Sequence, residues 1–321
     1  MEYKKLGNTD IEVSRIGFGC WAIGGHGYGK VDDEESVRAI RKALDLGINF
    51  FDTADIYGLG HSEKILSRGL GKSRGEVVIA TKVGVKWDNN TKTSSCDLSP
   101  EYIVKALESS LRRLKIDCIP LYQIHYPDPK TPVCETMEIL GRLQKEGKIR
   151  HIGVSNFSAS LVDEIKDYGQ IESLQVYYNL LNWSIGNDIR SLCEKLKISV
   201  FAYGSLAQGL LSGKYDERTG FGEDDHRNKS ENFGKEKLKA NLVIVDKLKE
   251  VAGKYKKGCA QVALNWILGN PDITSALVGV KTSGQIEQNA GAAGWSILAE
   301  DYDLITEIAT KTYLDHNLKS D

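Results

Sequence analysis

The sequence predicts an α/β protein of the (β/α)8 barrel class, a single domain over residues 1–321. Three observations lead there. Eight short strand-like runs alternate with helical patterns, and every parallel return between strands needs a helical crossover. No Pro/Ser-rich linker, low-complexity tract or composition break divides the chain, whose length suits one barrel of about 250 residues with additions. The side chains with the most chemistry fall at the carboxyl ends of the strand-like runs, where the βα loops of a barrel build a site.

In order along the chain, Tyr3 to Val13 reads as a hairpin around Asn8-Thr9-Asp10, within an N-terminal segment 1–14. Arg15 to Phe18 is the first barrel run. Glu34 to Leu46 repeats apolar residues (Val37, Ile40, Leu44) at helical spacing and is closed by Gly47. Asn49–Asp52 is the second strand, Ser62–Leu70 a helix, and Val77–Lys82 the third strand. Ser99-Pro100 opens a helix to about Leu114, with serine as the expected cap and proline at the first helical position. Leu121–His125, Ile149–Val154, Ser173–Tyr178 and Ile198–Tyr203 are the next strands, alternating with helices at 133–146, 159–167 and 188–196. A long polar loop, 204–235, then leads to helices at 236–255 and 260–268 and a last strand at Ser275–Val280. Two further helices follow, the second with a tail at 300–321.

Composition narrows the function. A hydrophobic content of 41% with 27% charged residues is that of a soluble globular protein. The net charge of -2 argues against a chain built for nucleic acid or anionic membrane. No apolar run reaches the roughly 20 residues that cross a bilayer, and no signal peptide is legible, so a cytoplasmic protein is expected. The six cysteines are scattered without a Cys-x-x-Cys pair, so buried free thiols are expected rather than a metal site or disulfide framework. Composition leaves the oligomeric state open.

Phe50-Phe51-Asp52-Thr53-Ala54-Asp55-Ile56-Tyr57-Gly58 drives an apolar run into an acid and sets a tyrosine five residues later. The third strand ends on Lys82 and the fourth on His125. An acid, a phenol, an ammonium and an imidazole at neighbouring strand ends suit proton delivery to a carbonyl oxygen. A phenol with a pKa near 10 exchanges protons sluggishly at neutral pH, and a nearby ammonium stabilises its phenolate. Lys82 would supply that cation, Asp52 would hold it charged, and a neutral His125 would orient the carbonyl. No side chain provides hydride, so the pattern implies a cofactor. Each residue has a plainer role open to it: an ion pair inside the barrel, a core histidine, a turn aromatic.

Gly17-Phe18-Gly19-Cys20-Trp21-Ala22 matches a G-x-G-x-x-A dinucleotide fingerprint. That motif requires a helix directly after it, whereas here Ile23-Gly24-Gly25-His26-Gly27-Tyr28-Gly29 follows, too rich in glycine for a helix.

The chain resembles the aldo-keto reductase family from Lys5 to about Leu298, closer to the bacterial and potassium-channel β-subunit branches than to the aldose reductase branch. The motifs that carry the likeness are Asp52 to Gly58, His125-Tyr126-Pro127, Gly153-Val154-Ser155-Asn156-Phe157 and Gly209-Leu210-Leu211-Ser212-Gly213-Lys214-Tyr215. The resemblance implies an NADPH-dependent reductase of aldehydes and ketones, NADH being less favoured, with Tyr57 as proton donor and Asp52, Lys82 and His125 completing the catalytic set. It implies a small-molecule carbonyl substrate as partner and no metal. The same likeness carries an alternative: a cofactor-binding, redox-sensing regulatory subunit of the channel β-subunit type.

By resemblance, Ser155, Asn156 and Gln175 meet the nicotinamide carboxamide, and Tyr203 stacks on its ring. Trp21 and Asp52 line the same region. Gly204, Ser205, Leu206, Gln208, Gly209, Leu211 and Lys214 belong to the loop that wraps the pyrophosphate. Gly279, Lys281 and Thr282 meet the 2′-phosphate, and Gln285, Gln288 and Asn289 the adenine side. Trp21, Trp87, Tyr126 and Arg227 would wall the substrate. Two departures stand out: Gly204-Ser205-Leu206 replaces the Ser-Pro-Leu of many relatives, leaving a less stiff loop, and Gln285 stands where some relatives carry arginine.

Overall fold

Side chains in a strand alternate between faces, and that period stacks two kinds of layer inside this barrel. Phe50, Val78, Ala80, Leu121, Phe201 and Leu277 pack together as an apolar floor. Two residues further along the same inward faces come Asp52, Lys82, Gln123, Tyr203 and Gly279. The floor therefore gives way to a polar storey one step nearer the carboxyl ends.

In the computed structural model, residues 1–25, 27, 29, 31–88, 90–91 and 93–317 are described, the side chains of 315–317 excepted. The elements are β1 (Tyr3–Lys5), β2 (Glu12–Ser14), β3 (Ile16–Gly19), α1 (Asp33–Asp45), β4 (Phe50–Asp52), α2 (His61–Leu70), β5 (Val78–Val83), β6 (Val85–Asp88), β7 (Thr93–Cys96), α3 (Pro100–Leu114), β8 (Ile119–Ile124), α4 (Val133–Lys145), β9 (Ile149–Ser155), α5 (Ala159–Ile165), β10 (Ser173–Tyr177), α6 (Asn187–Leu196), β11 (Ser199–Tyr203), α7 (Lys235–Tyr255), α8 (Cys259–Gly269), β12 (Ile273–Gly279), α9 (Ser283–Ala290) and α10 (Ala299–Asn317). Strands β3, β4, β5, β8, β9, β10, β11 and β12 pair in that order, all parallel, and β12 closes on β3. The (β/α)8 barrel is thus complete.

Closure is secured by Arg15, whose guanidinium donates to the carbonyls of Leu268, Ile273 and Thr274. The β1–β2 hairpin packs the fully buried Leu6 and Val13 against the apolar floor and stoppers the amino-terminal end of the barrel.

Several details differ from the sequence reading. Ser99 does not cap α3 with its side chain; its hydroxyl donates instead to Asp97, 2.6 Å away, leaving Pro100 as the helix-starting signal. The β6–β7 hairpin was not anticipated, because its strands lie largely exposed and so carry no apolar period. After β3 a short 3-10 turn, Ala22–Gly24, replaces the helix a dinucleotide fingerprint would need. Six thiols are free, but only Cys20, Cys193 and Cys259 are buried, while Cys96, Cys118 and Cys134 are partly exposed. Among the described residues, no helix is long and apolar enough to cross a membrane.

Candidate active site

Lys82 rises from the inward face of β5 into the polar storey and is fully buried. Its ammonium donates to Asp52 Oδ2 at 2.6 Å, to the Thr53 carbonyl at 2.9 Å and to the Tyr57 hydroxyl at 3.3 Å. Asp52 is 4% exposed, and its other oxygen accepts from the side-chain amides of Gln123 at 3.0 Å and Gln175 at 2.9 Å. A buried charge is tolerable only when paired and hydrogen-bonded, and this pair satisfies both conditions.

Gln123 was missed in the sequence. Its only signal was an amide inside the apolar run Ile119-Pro120-Leu121-Tyr122-Gln123-Ile124, where a polar residue should face a polar partner. Gly153 leaves room for it: a Cβ there would stand 2.3 Å from Ser173 Oγ and 3.1 Å from Gln123 Cγ.

Tyr57 sits in the β4–α2 turn, its ring between two aromatics. Trp21 stacks on one side with centroids 6.0 Å apart, and His125 meets it edge-on at 5.7 Å. Tyr126 in turn stacks on His125 at 5.1 Å. Burial, reinforced by the Lys82 charge, holds the His125 imidazole well below its ordinary pKa, so the ring is neutral at pH 7.

The remaining residues divide into those that face a cleft and those that do not. A continuous cleft runs over the barrel mouth, lined by Trp21, Asp52, Tyr57, Gln175, Tyr203, Gly204, Ser205, Leu206, Gln208, Gly209, Lys214, Arg227, Gly279, Lys281 and Gln285. Gly19, Ala22, Tyr177, Leu277 and Val278 also line it and were not picked out by sequence. Ser155 is buried at the tip of β9 beside Asn156, whose amide is occupied at both ends. Asn156 Nδ2 donates to the His125 carbonyl and to Ser155 Oγ, and Oδ1 accepts from the Tyr203 hydroxyl at 2.7 Å.

Six expected cofactor residues lie outside the lining: Ser155, Asn156, Leu211, Thr282, Gln288 and Asn289. Leu211 is fully buried in the hydrophobic core. Thr282 caps α9 by accepting from the Gln285 amide. Gln288 gives its carbonyl to Gln261, and Asn289 is buried on α9. Among the expected substrate residues, Trp87 on the β6–β7 hairpin and Tyr126 are exposed and lie outside the lining.

Arg227 is the larger surprise. Its guanidinium binds Asp225 and the Tyr215 hydroxyl and lies 4.2 Å over the Phe221 ring. It reaches the same end of the cleft as Lys281 and Lys214. There Lys281 is held below its ordinary pKa by burial and then by the charges of Arg227 and Lys214. The loop that carries Arg227 is ordered by a cluster of Tyr215, Phe221 and Phe233, with ring centroids 4.8–5.5 Å apart.

A dry ion pair capped by a phenol, at one end of a cleft whose other end is cationic, suits redox chemistry on a small carbonyl compound and places the molecule among the barrel oxidoreductases. Comparison with known proteins names the group. The chain belongs to the Aldo/keto reductase family, whose model matches residues 15–310. It is 39% identical over 318 residues to the aldo-keto reductase YhdN of Bacillus subtilis, covering 98% of this chain and 96% of that one. It is 33% identical to the NADH-specific methylglyoxal reductase of Escherichia coli, covering 95% and 97%. The structure of the glycerol dehydrogenase AKR11B4 from Gluconobacter oxydans superposes with a TM-score of 0.89 at 37% identity, covering 97% of this chain and 95% of that one. The protein is a nicotinamide-dependent oxidoreductase that reduces carbonyl compounds.

Proposed function

We propose that this enzyme reduces small aldehydes and ketones with a preference for NADPH, Tyr57 giving the proton to the carbonyl oxygen. The observation that carries the proposal is the position of the fully buried Lys82, bridging Asp52 and the Tyr57 hydroxyl at the edge of the cleft. An ammonium 3.3 Å from the phenol stabilises the phenolate left after proton transfer. Asp52, held by two glutamine amides, keeps Lys82 charged and oriented. The neutral His125 can donate an N–H to the carbonyl oxygen, and Trp21 and Tyr126 offer flat walls to the rest of the substrate. When bound, the nicotinamide supplies the hydride, which side chains cannot.

Three features support a dinucleotide in the cleft. Gln208 Oε1 is buried without a hydrogen-bond partner among the described residues, a demand a ligand can meet. Ala207, Gln208 and Gly209 take left-handed φ of 46°, 58° and 91° in succession, and such strain gathers at ligand sites. Lys214, Arg227 and Lys281 bring three cations to one end, matching the charge of phosphates. Tyr203 would stack on the nicotinamide, with Ser155 and Gln175 at its carboxamide. Asn156 would act by holding His125 and Tyr203. Lys281, Thr282 and Arg227 would face the 2′-phosphate, so Arg227 serves the cofactor in place of the substrate wall first expected. Gln285, Gln288 and Asn289 lie toward the adenine.

A second cofactor reading has its own support: a 33%-identical relative is named as NADH-specific. Assays of aldehydes and ketones with both cofactors decide between them. Tyr57→Phe should lower kcat by about 10²-fold or more while cofactor still quenches tryptophan fluorescence. Near-normal turnover in that variant would defeat the proton-donor role.

A further inference from the structure

The turn that carries Tyr57 has a second acid at its root. Asp55 stands between Ala54, whose carbonyl accepts from the Tyr57 amide at 3.2 Å, and Ile56, whose carbonyl accepts from the Leu59 amide at 3.1 Å. These two overlapping turns set the backbone that carries Tyr57. Asp55 as a residue is partly exposed, yet its Oδ1 is sheltered from solvent and has no hydrogen-bond partner among the described residues.

Its neighbours explain why an ionised carboxyl is unwelcome there. Glu63 of α2 is fully buried and already paired with Arg113 of α3, while accepting from Thr81 Oγ1 at 2.7 Å. Arg113 is therefore committed. Lys82 of β5 is shared between Asp52, Thr53 and Tyr57. Tyr102 of α3 and Tyr122 of β8 also face Asp55, and both phenols are pushed up chiefly by burial and then by its charge. An ionised Asp55 would thus hold a desolvated oxygen beside the Glu63 carboxylate with no free cation to answer it.

We propose that Asp55 is a positioning residue for Tyr57: its neutral carboxyl allows the turn to seat the phenol against Lys82, and its ionisation unseats it. The carboxyl is pushed up to about 7, first by burial, then by Glu63, against the smaller opposing effects of Arg113, the Ile56 amide and Lys82. An acid raised in this way favours the folded turn below its midpoint and opposes it above. The turn is tight enough for small shifts to count, since Gly58 has φ of 58° and a Cβ there would meet the Gly24 carbonyl at 2.0 Å.

The proposal rests on the proton-donor role of Tyr57, and the test separates the two. The intact enzyme is assayed at saturating cofactor and aldehyde from pH 5.5 to about 9, as wild type, Asp55→Asn and Tyr57→Phe. For wild type, kcat at pH 6 should exceed kcat at pH 8 by about ten-fold, the ratio given by one inactivating ionisation near 7. In Asp55→Asn that ratio should fall to near unity. An unchanged ratio in Asp55→Asn, with Tyr57→Phe inactive, overturns the proposal alone; a fully active Tyr57→Phe overturns the proton-donor role beneath it. Should Asp55→Asn fail to fold, carbon-13 NMR of aspartate-labelled wild type supplies the second measurement. A buried carboxyl titrating near 7 supports the proposal, and every aspartate titrating in the ordinary carboxylate range overturns it.

Discussion

Lys281 shows how much a single side chain can decide. Its ammonium shares one end of the cleft with Lys214 and Arg227, and a phosphate monoester brought there would be met by charge-assisted bonds worth about 1.5–3 kcal/mol each. Lys281→Ala should therefore raise the Kd for NADPH by roughly 10- to 150-fold and alter that for NADH little, as read by fluorescence titration with each cofactor. Equal losses for both would remove the 2′-phosphate assignment. That Asp52, Tyr57, Lys82 and His125 would gather was legible because three of them end neighbouring strand-like runs and Tyr57 follows in the next turn. Gln123 was not, because an amide in a strand announces a partner without naming it. Arg227 was visible as a loop cation with substrate or cofactor open to it, but its seat on Asp225 and the Phe221 ring was not legible.

At the scale of elements, the loop from 204 to 234 makes most of the cofactor side of the cleft, and its first residue sets its path. Gly204 has φ of +66°, and a Cβ there would lie 2.2 Å from Tyr177 Cε2. The left-handed conformation alone costs an L-residue about 1–2 kcal/mol, and the overlap adds displacement of the Tyr177 ring. That ring lies 5.4 Å from the ring of Tyr203, so the disturbance passes to the residue proposed to stack on the nicotinamide. Gly204→Ala should weaken cofactor binding by about ten-fold or more while leaving the barrel folded, and stopped-flow cofactor association would place the loss in the loop. Unaltered cofactor affinity would mean that the loop tolerates the side chain by moving as a body. The strands and helices were legible because their apolar periods are strong. The exposed β6–β7 hairpin and the internal order of this loop were not: the first buries too little to leave a pattern, and the second is held by three aromatic residues spaced along the loop at no regular period.

The whole molecule separates stability from chemistry along the barrel axis. At the amino-terminal end, Leu6 and Val13 of the hairpin plug the floor made by Phe50, Val78, Leu121, Phe201 and Leu277. Hydrogen bonds from Gly7 to Ser199 and from Asn8 to Glu172 hold that plug in place. The polar storey with Lys82 begins only above this floor, so a cavity below should be felt as lost stability before it is felt as lost catalysis. Leu6→Ala removes a fully buried side chain from a layer fixed on all sides, and such truncations cost about 2–5 kcal/mol. The expected outcome is a lower denaturation midpoint with kcat and KM at 25 °C within about two-fold of wild type. Denaturant unfolding followed by fluorescence, set beside steady-state kinetics on the same preparations, checks both halves. A variant that kept its stability would show that the hairpin is an appendage to the barrel. One that lost turnover while still folded would show that the floor transmits strain to Asp52 through Phe50, its neighbour two residues down the same strand face.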